Sequence, residues 1–289
     1  MLGIHKSYNG QAAADYFKTS LSKEGNYYTQ QDVVAYWDGK TAVHLGIHSS
    51  KVNSEIFTDL VHNVHPITKE KLTVLNVKNR RAGFDFTFST PKSASILYAL
   101  TKDPSILSAH RYAYRSTMQE IERHMQTQAN TQKRRGFINT GNIIYGAFDH
   151  FTSRPVEIEY NGKTVYVPDM QMHTHCYVPN VTWVEEKGRF QAIETGNIHK
   201  LAPYFEAYYH ARMSHRLQEL GYATERTHER WEITGVSRAI IERYSNRGKQ
   251  IDLVAAAKGI TDPKEKAKLA AITRNSKGKA VDDKQLYEF

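Results

Sequence analysis

Along residues 172–182, MHTHCYVPNVT, side chains alternate at period two. Met172, Thr174, Cys176 and Val178 fall on one side, His173, His175 and Tyr177 on the other. The run predicts a β-strand with two imidazoles on one face. The same alternation in 83–89, GFDFTFS, sets Phe84, Phe86 and Phe88 against Asp85, Thr87 and Ser89, a second strand. GNIIYGAFDH (141–150), rich in β-branched and aromatic residues, predicts a third strand that closes on His150. Three-to-four spacing predicts helices over 10–22 (Ala13, Tyr16 or Phe17, Leu21) and from Asp103-Pro104 to about 128 (Leu107, Tyr114, Met118, Ile121, Met125). A further helix is predicted over 199–220, with Leu201, Phe205, Tyr208, Met213, Leu217 and Leu220 inward and Gly221 at its end.

The turns decide how these elements meet. In EIEYNGKTVYV (157–167), Asn161-Gly162 supplies the two positive-φ positions of a type I′ turn, so this stretch reads as a hairpin excursion. It leaves 141–150 and 172–182 adjacent and antiparallel, with His150 beside His173 and His175. Same-face positions on a strand lie about 6.6 Å apart, close enough for two imidazoles to converge on one cation. His150 is the candidate third ligand, and structural histidines are the alternative on spacing alone. Cupin-type HxH sites want a carboxylate a few residues downstream, where this chain has Asn180.

Asp85 reads either as an ordinary polar-face residue or as a group that orients a metal-bound imidazole or takes a proton. Thr90-Pro91 reads as an N-cap followed by proline at the first helical position. That places Lys92 and Ser93 at a positive helix terminus suited to phosphate. Residues 32–82 read as short helices and loops, with His44, His48, His62 and His65 solvated or packed. Lys133-Arg134-Arg135 reads as a solvated turn. Val184–Phe190 predicts a hairpin about Glu186-Lys187-Gly188, followed later by a short strand near Arg230–Ile233 and a Ser237-capped helix.

Composition narrows the class. The 289 residues carry a formal charge of +9, with 18 tyrosines, and basic groups among aromatics suit nucleic acid, whose phosphates bind cations and whose bases stack. Cys176 is the only cysteine, which excludes an intramolecular disulfide and points to a reducing cytoplasm. No apolar run approaches the roughly 18 residues of a membrane span, so no membrane insertion is expected. One compact domain is expected over 1–254, with a basic tail of the same domain over 255–289.

Tyr16-Phe17 with Tyr27-Tyr28, GFDFTFSTPKSAS (83–95), FDHFTSR (148–154) and DMQMHTHCYVPN (169–180) together closely resemble the MobF, or TraI/TrwC-like, conjugative relaxases. These belong to the HUH endonucleases, single-strand DNA nickases with a His-hydrophobe-His signature. The likeness continues through HARMSHRLQELGY (210–222), WEITGVS (231–237) and TRNSK (273–277). It implies an α+β fold, a central antiparallel sheet flanked by helices, forming a palm with C-terminal helical fingers.

Carried over by position, the resemblance makes Tyr16 the principal nucleophile and Tyr27 and Tyr28 the pair of a further cleavage. Asp85 becomes the aspartate beside the centre, and His150, His173 and His175 the metal triad. Arg80, Arg81, Lys92 and Arg154 are the basic residues expected to meet phosphate. One divalent ion is implied, Mg or Mn in use, with Zn, Ni or another soft metal in crystals. The implied partners are single-stranded DNA of a transfer origin with a nearby hairpin, relaxosome accessory proteins and a type IV secretion coupling protein. The protein is expected to act as a monomer and to enter the recipient cell attached to DNA.

Phe17 departs from the second tyrosine common in the family, and the 157–167 hairpin departs from the usual short connection. Relatives carry a helicase region after the relaxase, and no helicase motor is read here. Rolling-circle initiators and transposases share the chemistry but place their tyrosine after the HxH. A non-catalytic single-strand-binding protein rests on charge and aromatics alone.

Overall fold

The computed structural model describes residues 1–7, 9–18, 35–74, 80–130, 135–153, 155–160, 162–227 and 230–262, with 265, 266 and 269. Its first half runs β1 (Leu2–Ser7), α1 (Gly10–Tyr16), β2 (Trp37–Asp38), α2 (Lys40–His44), α3 (Ser54–Val61) and β3 (Gly83–Ser89). Then come α4 (Lys92–Thr101), α5 (Pro104–Arg123), β4 (Gln126–Asn130), β5 (Arg135–Asn139) and β6 (Tyr145–Thr152). After these follow β7 (Val156–Tyr160), β8 (Lys163–Val167), β9 (Met170–Pro179), β10 (Thr182–Val184), β11 (Arg189–Gln191) and β12 (Ile193–Glu194). The remainder is α6 (Gly196–Glu219), β13 (Thr224–Arg226), β14 (Trp231–Ile233), α7 (Arg238–Arg243) and α8 (Asn246–Ala257).

Five strands form one sheet in the order β1-β3-β9-β6-β2, every neighbouring pair antiparallel. Because side chains alternate across a strand, the sheet has two distinct faces. Phe84, Phe86 and Phe88 of β3 and Met172, Cys176 and Val178 of β9 look backward into one core. There they meet Ala109, Ala113 and Met118 of α5 and Phe205, Tyr209 and Met213 of α6. The forward face carries a second core, where Phe17 stacks on Phe57 with ring centres 4.4 Å apart and Phe57 meets Tyr177 at 4.8 Å. Helices α1 and α3 therefore roof the forward face over Tyr177 and Phe148, and this second core does not include His173 or His175.

The hairpin β7-β8 is a separate two-stranded excursion between β6 and β9, with Gly162 at a φ of 70°, as the Asn-Gly signal predicts. The hairpin β10-β11 turns at Gly188 (φ 54°), and Ser237 Oγ caps α7 by accepting from Ile240 N. Several boundaries differ from the sequence reading. The helix expected to run to about 128 stops at Arg123, because Met125 stays in the core while the chain leaves as β4, which pairs with β5. Arg135, read as part of a solvated turn, opens β5, and Lys133 and Arg134 lie outside the described residues. Thr90 is not the N-cap of α4; its hydroxyl serves Met172 O and Ser95 Oγ, and Pro91 takes the cap position. In α6, Tyr209 replaces Tyr208 as the inward ring, and Leu220 stays exposed. Position 254, taken as the end of the main domain, falls inside α8. Among the described residues, no helix is long and apolar enough to cross a membrane.

Gly83 shows how tightly β3 and β9 approach. A Cβ there would stand 2.5 Å from Val178 O and 2.8 Å from the Tyr177 ring, contacts that only strand separation relieves. Gly83→Ala is expected to cost about 2–3 kcal/mol in urea unfolding. Gly146→Ala, whose Cβ meets the Val52 methyl at 3.1 Å, is expected to cost less than about 1 kcal/mol. Equal losses would mean that the β3-β9 contact is not the constraint described.

Buried basic groups set the pH response. Burial pushes His110 down to about 4, and burial and the nearby Met1 ammonium push His210 down to about 3. In each case the unfolded chain binds the proton more tightly, so stability rises with pH. The contribution of the histidines is full above about 6.5 and is lost on further acidification. The unfolding free energy from urea titration is expected to stay level from pH 8 to about 6.5 and to fall by roughly 1 kcal/mol or more per pH unit between 6.5 and 5. A flat free energy from pH 8 to 5 would contradict this burial of neutral groups.

Candidate active site

Pairing places the three histidines on the forward face. His150 of β6 lies opposite His173 of β9, while His175 faces Thr87 on β3 and Phe148 on β6. The ring centres form a near-equilateral triangle with sides of 5.1, 5.2 and 5.4 Å. Regular pairing ends beside the triad, since the register shifts between His150 and Thr152.

Tyr16 reaches this place from α1. The side chain of Asn9 caps that helix, accepting from Gln11 N and Ala12 N at 2.8 and 3.3 Å, and Ala13, Ala14 and Phe17 anchor it in the forward core. Its last turn then delivers Tyr16, whose hydroxyl donates to Asp85 Oδ2 at 3.0 Å and lies 3.5 Å from His175 Nδ1.

Asp85 joins the parts. Burial alone would raise its carboxyl, but the His175 imidazole and the Tyr16 hydroxyl outweigh that and hold it below its ordinary value. The group is thus an acceptor. His175 Nδ1 stands 2.8 and 3.0 Å from its two oxygens, so the ring proton sits on Nδ1 and the Nε2 lone pair is left over. His173 has the same tautomer for another reason: its Nδ1 is 2.9 Å from Gln171 O, a carbonyl that can only accept. Burial and the neighbouring His175 push His173 down to about 3, so this ring is neutral near pH 7.

Thr87 also belongs to the site and was not singled out from the sequence. Its hydroxyl lies 3.2 Å from His175 Nδ1, and the signal was its place on the Asp85 face of β3. Among the described residues, no three His, Cys, Asp or Glu side chains are gathered closely enough to hold an ion as they stand.

The basic residues fare differently. Lys92 turns inward to donate to Met170 O at 3.1 Å, and the N-terminus of α4 is served by Glu232, which accepts from Ser93 N at 2.8 Å. The anion at that helix start is therefore the chain's own, in place of the expected phosphate. Arg80 donates to Asn180 O at 2.6 Å, beyond the far end of β9 and about 16 Å along the strand from His175. Burial lowers its guanidinium to about 10, which leaves it charged. Arg81 is half-buried beside it. Tyr27, Tyr28 and Arg154 lie outside the described residues.

A family model described as TrwC relaxase matches residues 10–288. The multifunctional conjugation protein TraI of Escherichia coli strain K12 is 29% identical over 251 residues, which is 80% of this chain but 13% of that protein. The chain thus spans only a small part of the length of this curated relative. Among solved structures, the conjugative relaxase TrwC in complex with oriT DNA, in a copper-bound form, superposes with a TM-score of 0.83 at 28% identity, covering 100% of this chain and 95% of that one. TrwC complexed with a 27-mer DNA comprising the recognition hairpin and the cleavage site gives 0.80 at 27% identity, with the same coverage. The family model spans the strands that gather the histidines and the helix that delivers Tyr16, and this chain belongs to the TrwC relaxase family of conjugative DNA nicking and joining enzymes.

Proposed function

We propose that this chain nicks one strand of a plasmid transfer origin by transesterification onto Tyr16 and rejoins it by the reverse reaction. The observation that carries the reading is the Tyr16 hydroxyl donating to Asp85 while the same carboxylate orients His175. A tyrosine hydroxyl has a pKa near 10 and is a poor nucleophile until its proton has an acceptor. Asp85 is that acceptor at 3.0 Å. As Tyr16 Oη bonds to phosphorus, its proton passes to Asp85, the bond from phosphorus to the 3′ oxygen breaks, and that oxygen takes a proton from water to become a free 3′-hydroxyl. The 5′-phosphotyrosine keeps the energy of the phosphodiester, so rejoining needs no nucleotide cofactor.

The chemistry of the donor set suits one divalent cation, which the three rings would have to turn to meet, since they do not converge on an ion as they stand. His173 and His175 each have Nε2 left over as a lone pair, and the ring centres, 5.1 to 5.4 Å apart, are near the spacing of imidazoles that share an ion through nitrogen bonds of about 2.1 Å. His150, His173 and His175 would hold it, and when bound it supplies positive charge to the scissile phosphate. Mg or Mn suits phosphoryl chemistry, whereas imidazoles also suit softer ions such as the copper named for the TrwC structure. The substrate is a single strand with a nearby hairpin, by analogy with the 27-mer bound to TrwC. Arg80, Arg81 and Arg154 are proposed to meet its backbone, and Tyr27 and Tyr28 to serve a second cleavage. Relaxosome accessory proteins and a coupling protein belong to the same proposal.

Tyr16→Phe is expected to abolish the covalent protein–DNA adduct on a transfer-origin oligonucleotide, seen on a denaturing gel, while strand affinity stays within about threefold. EDTA is expected to stop adduct formation by the unaltered chain, and Mn to restore it. A full adduct from Tyr16→Phe would assign the nucleophile elsewhere. Asp85→Asn should lower the single-turnover rate by about 10²- to 10⁴-fold with little change in strand affinity. An unchanged rate would remove Asp85 from the proton's path.

A further inference from the structure

Thr174, the middle residue of the HxH, points away from the histidines into the closed back of the sheet, where no solvent reaches it. A hydroxyl there must find partners within the protein. It has two, Asp149 Oδ1 at 2.6 Å and His110 Nε2 at 2.7 Å. Asp149 is also held by Arg111 Nε at 2.7 Å, and His110 Nδ1 lies 2.8 Å from the Tyr209 hydroxyl.

Donor and acceptor rules give this chain of bonds a single direction. The Asp149 carboxylate can only accept, so the Thr174 proton goes to it. The Thr174 oxygen must then accept from His110 Nε2–H. A neutral imidazole carries one N–H, so His110 Nδ1 accepts from Tyr209 O–H. Burial pushes His110 down to about 4, in keeping with a neutral ring. One directed series thus runs from α6 through α5 into β9 and on to β6.

It ends at a vulnerable place. Asp149 and Thr174 are cross-strand partners immediately beside the His150–His173 pair, and the β6-β9 register shifts just past His150. A slip of one residue would send the β9 histidines to the opposite face. We propose that His110, acting through Thr174 and Asp149, is a positioning residue that holds His150 level with His173 and His175 from behind the sheet.

This inference rests on the reading of the triad as a cation site, and the test separates the two. Mn affinity by calorimetry and the electron paramagnetic resonance spectrum of the Cu-loaded protein are measured on the full chain without DNA, for the unaltered protein, His110→Phe, His110→Gln and Thr174→Val. Phe fills the space without a hydrogen bond, whereas Gln places an N–H near the Nε2 position. Thr174→Val keeps strand propensity while removing both bonds, and it decides the matter if His110→Phe does not fold.

The expected result for His110→Phe and Thr174→Val is a 10- to 100-fold loss of Mn affinity, an altered Cu hyperfine pattern and faster amide exchange over 172–176 in the metal-free protein. Strand affinity should change less than about twofold, and His110→Gln should recover Mn affinity to within about threefold. Unchanged Mn affinity and Cu spectra in folded variants would overturn the positioning role and leave the triad intact. Loss of stability without rescue by Gln would reduce His110 to packing. An unaltered chain that binds neither ion through the triad would overturn the function proposed above on separate grounds.

Discussion

The pairing of β6 with β9 is the constraint from which the site follows. His150 and His173 come from positions 23 residues apart and meet because the strands run antiparallel in that register, with the β7-β8 hairpin taken up as an excursion. Side chains alternate across a strand, so the same register that turns the histidines forward turns Met172, Thr174 and Cys176 into the back core. The hydrophobic contacts behind the sheet and the imidazoles in front are two consequences of one alignment. A shift that spoiled one would spoil the other.

Within that frame the cost of burying Asp85 organises the rest. A carboxylate withdrawn from water is stable only where donors replace its hydration, and here the donors are His175 Nδ1 and the Tyr16 hydroxyl. Each also serves the chemistry. The first sets the tautomer that leaves Nε2 over, and the second brings the proposed nucleophile to a proton acceptor. Tyr16 nevertheless lies on the Nδ1 side of His175, so its place is held by hydrogen bonding to Asp85. Removing Asp85's charge disturbs the position of Tyr16 as well as its activation, and that is why rate and strand affinity are separated in testing it.

The parts of the fold that were legible in sequence are those where a short period is joined to a distinct turn. Phe84, Phe86 and Phe88 declared β3, His173 and His175 declared β9, and Asn161-Gly162 kept β6 and β9 neighbours. What stayed hidden depends on contacts between distant segments. Lys92 looked like a phosphate ligand because its local context is a helix start, yet that start is satisfied by Glu232, 139 residues after Ser93. Thr90 looked like a cap, but β9 offered its hydroxyl the Met172 carbonyl. Met125 continued the helical spacing after α5 had ended, because one more core residue at a strand entrance has the same period. Tyr16 could not be told from other tyrosines by pattern at all. Only the resemblance singled it out, since its distinction is a bond to a residue 69 positions away.

The two faces of the sheet also differ in how much motion they allow. Behind, α5 and α6 close over fully buried side chains, and the polar groups admitted there, His110, Thr174 and Asp149, are bonded in one direction through the core. In front, the roof of α1 and α3 covers Phe148 and Tyr177 and leaves His175 partly open, its side chain 18% exposed. Under the proposed reaction a strand of DNA with its scissile phosphate would enter over the histidines, so that part of the face would have to open to it. An opening there would remove some of the packing that elsewhere holds side chains in their rotamers. The order of the imidazoles must then come from hydrogen bonds within the site and from the strands beneath them, which is why a buried histidine on the far side of the sheet bears on the geometry of three others.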